Sequence, residues 1–355
     1  MAACLSGNAR PAGGALSRTF LWAYHRSISH AFARSILEIA SARVLHETYL
    51  AAVVFGPGRD ERVYSSFGPV RQCSSFEAIR NRLARWDGEE GLRLGEQRVM
   101  MRRLAGLLGR WPLNHSRCCD DSSHQEPRSR SEVGVDRRHL FVKCSPVYQM
   151  GQNLAVTLPP LREVEPEAMS SVQPPPFQHT FLIRRPDKVA VSLQQLENGT
   201  GSSNTQALLE GDLVETYRLY CYVVGKAGSG CAASETPHEM PMVIDADDLL
   251  YNPAAVMEGY CSRVGLPYDP TMLKWDPGPV LEWLPQRNAA VSEWESGPFA
   301  NVFRSNGFVS SNSGGATVEE NMDRLSKETR AVLERRWDLY EEMHAVRYQP
   351  AQECS

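Results

Sequence analysis

Two distant segments share one arrangement, an apolar strand that runs through a short polar stretch into a helix. The first has a strand at 19–23, a loop at 24–30 and a helix from 31 to 40. The second has a strand at 179–184 and a Pro-started helix at 187–196. Buried strands that alternate with helices form parallel sheets with helices on both faces. Such a loop also directs backbone N–H groups and a helix N-terminus at one place, which suits a phosphate.

The rest of the chain continues this alternation of strands and helices. Short apolar runs predict further strands near 43–46, 140–143 and 240–245. Helical spacing or caps predict helices at 76–108, 209–225, 253–265 and 317–345. We therefore expect an α/β, P-loop-type, three-layer fold with a central parallel sheet flanked by helices.

The expected domain plan is one domain with polar additions. Residues 1–17 are expected to be a flexible lead-in, 18–348 a single domain, and 349–355 a tail. The polar, aperiodic stretch at about 113–137 is expected to be a disordered insertion within that domain.

Composition excludes several classes of protein. The net charge of −4 argues against a nucleic-acid partner, and no apolar run is long enough for a membrane span. Nine scattered cysteines without a C-x-x-C pair argue against a zinc ribbon or a disulfide framework and favour a reducing compartment. With no apolar leader, the expected location is cytoplasmic.

The polar loop differs from that of nucleoside triphosphatases. The sequence has no G-x-x-x-x-G-K-[ST] motif, and Gly225-Lys226 follows a predicted helix rather than a strand. This argues against an ATP or GTP hydrolase that holds magnesium. Arg184 leaves the end of its strand and Ser192 lies eight residues on, so both are placed to serve a second anion.

These residues resemble those of the P-loop sulfotransferase-like family, especially its fungal and bacterial branch with a P-R-S-x-S-T loop. The resemblance rests on matching segments of this chain, namely Arg26-Ser27-Ile28-Ser29, Val44-Leu45-His46-Glu47, Phe141-Val142-Lys143, and His179 to Pro186 with Ser192. It implies that the donor 3′-phosphoadenosine 5′-phosphosulfate is bound without a metal. Its implied ligands are Arg26, Ser27, Ile28, Ser29 and His30 in the loop, and Arg184 with Ser192 for the 3′-phosphate.

The chain departs from the family pattern at three places. His25 stands where the family has Pro, and His30 where it has Thr. The family's His shortly after the Lys143 equivalent is missing from Lys143-Cys-Ser-Pro-Val-Tyr148.

The resemblance leaves three candidate catalytic residues. They are Arg26 and Lys143 as cations and His46 as the base, with Glu47 beside it. Lys143 as a solvated strand end and His46 as a structural histidine remain alternatives.

The resulting hypothesis is sulfuryl transfer to a hydroxyl or amine of a small molecule. Two alternatives remain open. One is a non-catalytic accessory protein of a biosynthetic pathway that kept the fold. The other is a nucleotide hydrolase, which the missing Walker lysine disfavours.

Overall fold

The computed structural model describes residues 17–49, 75–84, 139–146, 152, 154, 158, 177–200, 205–228, 240–280, 300–308 and 316–350. Within these residues, five strands form one sheet. In chain order they are β1 (Ser17–Ala23), β2 (Ala42–His46), β3 (His139–Cys144), β4 (Gln178–Ile183) and β5 (Met242–Asp245). Their order across the sheet is β2-β3-β1-β4-β5, and every pairing is parallel. Among the described strands, the first in the sequence is therefore the central one.

Helices lie between and after the strands. In chain order the described helices are α1 (Ser29–Leu37), α2 (Phe76–Ala84), α3 (Pro186–Thr200), α4 (Thr205–Gly228), α5 (Ala246–Tyr251), α6 (Pro253–Val264), α7 (Ala300–Arg304), α8 (Val318–Asp323) and α9 (Lys327–Ala345). A short 3-10 helix spans Pro270–Leu273. None of the described helices combines the length and the apolarity that crossing a bilayer requires.

Both faces of the sheet are buried, and successive residues of β1 show why. Phe20 and Trp22 point to one face and pack with residues of α2, α3, α4 and α9. Leu21 and Ala23 point to the other face and pack with residues of α1 and α6. A strand that is buried on both sides must be apolar throughout, which is the pattern of a parallel sheet between two helical layers. The predicted three-layer α/β fold is confirmed.

The parallel arrangement brings the carboxyl ends of the strands to one edge of the sheet, called here the carboxyl edge. Trp22 of β1 lies beside Cys144 of β3 and Phe181 of β4. His46, the last residue of β2, lies beside Lys143. Polar residues after β1, β2, β3 and β4 therefore meet, although up to about 160 residues separate them along the chain.

Two elements near the C-terminus differ from the sequence prediction. The single helix expected at 317–345 is two helices, α8 and α9, because Ser326 caps a new helix by accepting a bond from Thr329 N–H. The short helix α5 was not predicted. Asp245 begins it by accepting a bond from Asp247 N–H.

Some predicted features lie outside the described residues. These are most of the lead-in at 1–17, the insertion at 113–137, the part of the predicted helix 76–108 beyond Ala84, and residues 351–355 of the expected tail.

Candidate functional site

The loop between β1 and α1 has an unusual backbone. Arg26 and Ile28 both have positive φ, 60° and 61°, which is uncommon outside glycine and an outlier for a β-branched residue. The Ser27 hydroxyl donates to the Tyr24 carbonyl oxygen at 2.7 Å and holds the turn closed. Left-handed residues in a tight turn direct backbone N–H groups into a concavity that binds anions. Strain of this kind concentrates at functional sites.

Helix α1 begins directly after this loop with its first N–H groups uncapped by a side chain. Its N-cap residue is Ile28, which has no side-chain acceptor. Helices usually satisfy these N–H groups through Ser, Thr, Asp or Asn at this position. An uncapped N-terminus keeps its donors and its partial positive charge for an anion.

On the β4 side of the loop, Arg26, Arg184 and Ser192 form what we call the second-anion cluster. Arg26 Nε donates to Ser192 Oγ at 2.9 Å. An Nη of Arg184 donates to the backbone carbonyl oxygen of Arg26. Burial and, after it, the positive charge of Arg184 lower the pKa of Arg26. Burial also lowers the pKa of Arg184, and three carboxylates oppose this through their charge, namely those of Asp247, Asp245 and Asp187. Two neighbouring guanidinium groups can both donate charge-assisted hydrogen bonds to an anion that binds between them.

The structure brings the predicted donor-binding residues together around one loop. Arg26 was predicted to serve the phosphosulfate end as a cation. Its side chain instead contacts Ser192, so in this structure it lies with Arg184. The catalytic role of Arg26 stays a prediction.

On the β2 and β3 side, His30, His46, Glu47 and Lys143 form what we call the histidine–lysine cluster. Lys143 Nζ donates to Glu47 Oε1, and both side chains are buried. Glu47, whose φ is 51°, also accepts a bond from Ser145 N–H at 3.1 Å. The rings of His30 and His46 lie 4.9 Å apart.

The two histidines of this cluster are neutral at physiological pH. Burial, reinforced by the charge of Lys143, lowers the pKa of His46 to about 3. The same two causes hold the pKa of His30 well below its usual value. Burial alone would raise the pKa of Glu47, but Lys143 and His46 lower it, so Glu47 is ionised. The charges of this cluster therefore sum to zero.

His30, His46 and Glu47 are also a candidate metal group, because one ligand atom from each lies within 4.8 Å of the others. Lys143 argues against this use, since its ammonium bonds the carboxylate that a metal would need. Its positive charge would also repel a divalent cation. These residues therefore do not fit a metal ion.

Asp212 of α4 is a site residue that the sequence analysis missed, and it binds His25. Its carboxylate accepts the His25 backbone N–H at 2.9 Å and contacts His25 Nδ1 at 2.9 and 3.0 Å. It also accepts a bond from Ser145 Oγ at 3.3 Å. Asp212 lies on the buried stripe of α4 that Leu209 and Leu213 share. A carboxylate on an apolar stripe is the sequence feature that would have identified it.

Comparison with known families supports the predicted resemblance. A family model described as a sulfotransferase domain matches residues 228–330. This segment begins at the end of α4 and includes β5, α5 and α6. Over this segment the match agrees with the sulfotransferase-like resemblance predicted from the sequence. The loop, the second-anion cluster and the histidine–lysine cluster precede the matched segment.

Similar curated proteins match only part of the chain. Branched-chain-amino-acid aminotransferase-like protein 2 of Arabidopsis thaliana is 31% identical over 111 residues, which are 30% of this chain and 17% of that protein. Its relative, protein 1 of the same plant, is 30% identical over 122 residues, or 33% of this chain and 18% of that protein. The match spans less than a fifth of the length of either relative.

Two solved structures align over most of the chain. The sulfotransferase domain from the curacin biosynthetic pathway aligns at 12% identity and a TM-score of 0.41, covering 90% of this chain and 98% of that one. The sulfotransferase domain from the Synechococcus PCC 7002 olefin synthase aligns at 13% identity and a TM-score of 0.39, covering 92% of this chain and 97% of that one.

Proposed function

We propose that this protein transfers a sulfuryl group from 3′-phosphoadenosine 5′-phosphosulfate to a hydroxyl or amine of a small molecule. The observation that carries the proposal is the convergence of Arg26, Arg184 and Ser192 beside the β1–α1 loop. The loop offers backbone N–H groups for one anion, and the cluster offers guanidinium and hydroxyl donors for another. A donor with phosphate groups at two places matches two adjacent anion sites.

The proposed chemistry is an in-line displacement at sulfur. The acceptor oxygen or nitrogen attacks the sulfur, and the bond from sulfur to the 5′-phosphate oxygen breaks. The reaction needs positioning and positive charge near the leaving oxygen, by analogy with phosphoryl transfer. The loop N–H groups and the N-terminus of α1 would bind the leaving phosphate, and Lys143 lies across the loop from the second-anion cluster.

Differential binding of two nucleotides tests the donor site. We expect 3′-phosphoadenosine 5′-phosphate to raise the thermal midpoint of unfolding clearly more than adenosine 5′-phosphate at the same concentration. Bound ligand at about a hundredfold excess over its Kd should stabilise the fold by about 2.7 kcal/mol. Equal shifts from both nucleotides would show that no 3′-phosphate site exists.

A donor-binding protein without transfer activity is the second candidate. The ion pair between Lys143 and Glu47 favours it, because it neutralises the cation that a transfer reaction would use. Transfer of sulfuryl to a panel of phenols, alcohols and amines, followed with labelled donor, separates the two candidates. Binding of 3′-phosphoadenosine 5′-phosphate without transfer to any acceptor would favour the second.

A further inference from the structure

Among the described residues, the contact between His25 and Asp212 belongs to neither cluster of the candidate site. His25 directly follows Tyr24 at the end of the central strand, and Asp212 reaches it from α4, 187 residues away. The Asp212 side chain is 1% exposed, whereas a quarter of the His25 side chain is exposed. A fully buried carboxylate thus holds a partly exposed imidazole at the carboxyl edge.

The contacts fix both the position and the orientation of the imidazole. Asp212 accepts the His25 backbone N–H, which holds the start of the loop, and bonds Nδ1, which fixes the ring. Ser145 Oγ bonds the same carboxylate and links it to the end of β3. Because Nδ1 bonds Asp212, Nε2 points away from that carboxylate. An imidazole that a carboxylate orients through Nδ1 is the usual arrangement of a general base.

We infer that His25, oriented by Asp212, is the general base that takes the proton from the acceptor in the sulfuryl transfer proposed above. This inference rests on that proposed function. In the step, the acceptor O–H or N–H bond gives its proton to His25 Nε2, and the acceptor atom forms a bond to sulfur. The sulfur–oxygen bond to the 5′-phosphate breaks, and its electron pair leaves on the phosphate oxygen. Water later takes the proton from His25.

His46, the base predicted from the sequence, is less suited to this task. It is 3% exposed, so an acceptor has little access to it. With a pKa of about 3 it would also be a weak base. His25 differs in exposure and in its carboxylate partner.

The charges around His25 predict how turnover should depend on pH. Burial would lower the pKa of His25, but Asp212, through its charge and its hydrogen bond, raises it above the ordinary 6.5. Glu47 after β2 adds to the rise, and Lys143 of β3 opposes it. A base must be deprotonated, so turnover should rise with pH through a pKa above 6.5.

Replacement of His25 tests the inference in the full-length chain. We expect His25→Ala to lower turnover about a hundredfold or more, the range for losing a general base. Its affinity for 3′-phosphoadenosine 5′-phosphate should change less than threefold, and added imidazole should restore part of the turnover. His344→Ala on α9 is the control, because the His344 ring contacts Tyr340 and Arg347 instead of the site residues. Unchanged turnover of His25→Ala, or an equal loss of binding and turnover without rescue, would overturn the inference.

Asp212→Asn provides a second test that does not depend on His25→Ala folding. It removes the negative charge, so the acidic limb of the turnover profile should move to lower pH, and the NMR titration of the His25 ring should move with it. An acidic limb of the turnover profile that stays in place in Asp212→Asn while the titration of the His25 ring moves would contradict the inference. Wild-type protein that binds 3′-phosphoadenosine 5′-phosphate but transfers nothing would overturn the proposed transfer together with this inference, and only the donor site would stand. Wild-type protein that transfers sulfuryl while His25→Ala keeps its turnover would overturn the inference alone.

Discussion

The two sides of the β1–α1 loop differ in the groups to which their cationic side chains are hydrogen-bonded. On the β4 side, Arg26 and Arg184 bond to a hydroxyl and a backbone carbonyl, both neutral groups. On the β3 side, Lys143 bonds to the carboxylate of Glu47. We call the first side the charged side, because its two guanidinium groups make these hydrogen bonds to neutral oxygens. The carboxylates of Asp187, Asp245 and Asp247 act on Arg184 only through their charge. We call the second the neutral side, because its lysine is bonded directly to a carboxylate. If the proposed donor binds here, this difference predicts that its binding depends mainly on the β4 side. It also predicts that the Lys143–Glu47 pair on the β3 side contributes mainly to the stability of the fold.

The largest expected effect is on the neutral side, where Lys143→Met would leave Glu47 as an unpaired buried charge. We expect the free energy of unfolding to fall by about 3–5 kcal/mol, as measured by urea denaturation. The double variant Lys143→Met/Glu47→Gln should recover most of this loss, because both charges are then gone. If the single variant lost less than about 1 kcal/mol, the pair would not be buried as the structure describes.

The next effect is on the charged side, where Arg184→Ala should weaken nucleotide binding. Loss of one charged hydrogen-bond donor to a phosphate corresponds to about 1.5–3 kcal/mol, or roughly a 10- to 150-fold weaker Kd. Isothermal titration with 3′-phosphoadenosine 5′-phosphate measures it, and binding of adenosine 5′-phosphate should change far less. Arg335→Ala, which removes an exposed arginine of α9, is the matched control. An equal loss for both nucleotides would show that Arg184 does not bind the 3′-phosphate.

Because some buried histidines are neutral in the folded protein, we expect the free energy of unfolding to fall at acidic pH. His46 and His179 have a pKa of about 3 in the folded protein, against about 6.5 in the unfolded chain. Between pH 3 and pH 6.5 the unfolded chain binds more protons than the folded protein. The two histidines therefore contribute their full share to the free energy of unfolding above pH 6.5, and this share is lost as the pH falls toward 3. Each histidine contributes a slope of up to about 1.4 kcal/mol per pH unit.

Urea denaturation at a series of pH values measures this slope. The pKa of His25 is raised in the folded protein, so His25 has the opposite pH dependence. Its contribution to the free energy of unfolding is lost as the pH rises through that pKa. His46→Gln should remove about one histidine's share of the acid slope. An unchanged slope in this variant would mean that His46 is not held neutral by the cluster.

The smallest effect is expected for Ser192→Ala on the charged side. It removes the hydroxyl that accepts the bond from Arg26 Nε, and with it one donor to a bound phosphate. A hydrogen bond of this kind corresponds to about 0.5–1.5 kcal/mol, so the Kd should rise roughly 2- to 15-fold. Ser326→Ala changes a helix cap instead and should leave the Kd unchanged. If Ser192→Ala bound the nucleotide as tightly as wild type, the second-anion cluster would consist of arginines alone.

The fold was predictable because its elements have local causes. Alternation of apolar strands with helices predicted all five described strands, and every predicted strand end lies within two residues of the observed one. Asn252 and Gly265 marked both ends of α6, since an Asn caps the start and a left-handed Gly ends it. The helix at 317–345 was wrongly predicted as continuous because its apolar spacing persists across the cap at Ser326.

The candidate site was predictable only in part. Arg26, Arg184 and Ser192 could be selected because the resemblance fixes their spacing. The ion pair between Lys143 and Glu47 depends on β2 and β3 being neighbours in register, which no local pattern shows. Asp212 meets His25 only through the packing of α4. The left-handed backbone of Ile28 could not be predicted either, since a β-branched residue avoids that conformation.

The central position of β1 has a consequence for how the chain is made. Of the described strands, β1 leaves the ribosome before the others, and its neighbours β3 and β4 follow about 120 and 160 residues later. At about 5–20 residues per second, its apolar edges wait roughly 6–24 s for the first partner. During that interval both edges of Phe20–Ala23 can pair with other nascent chains. Yield in a heterologous host should therefore depend on chaperone supply during synthesis more than on the stability of the finished fold.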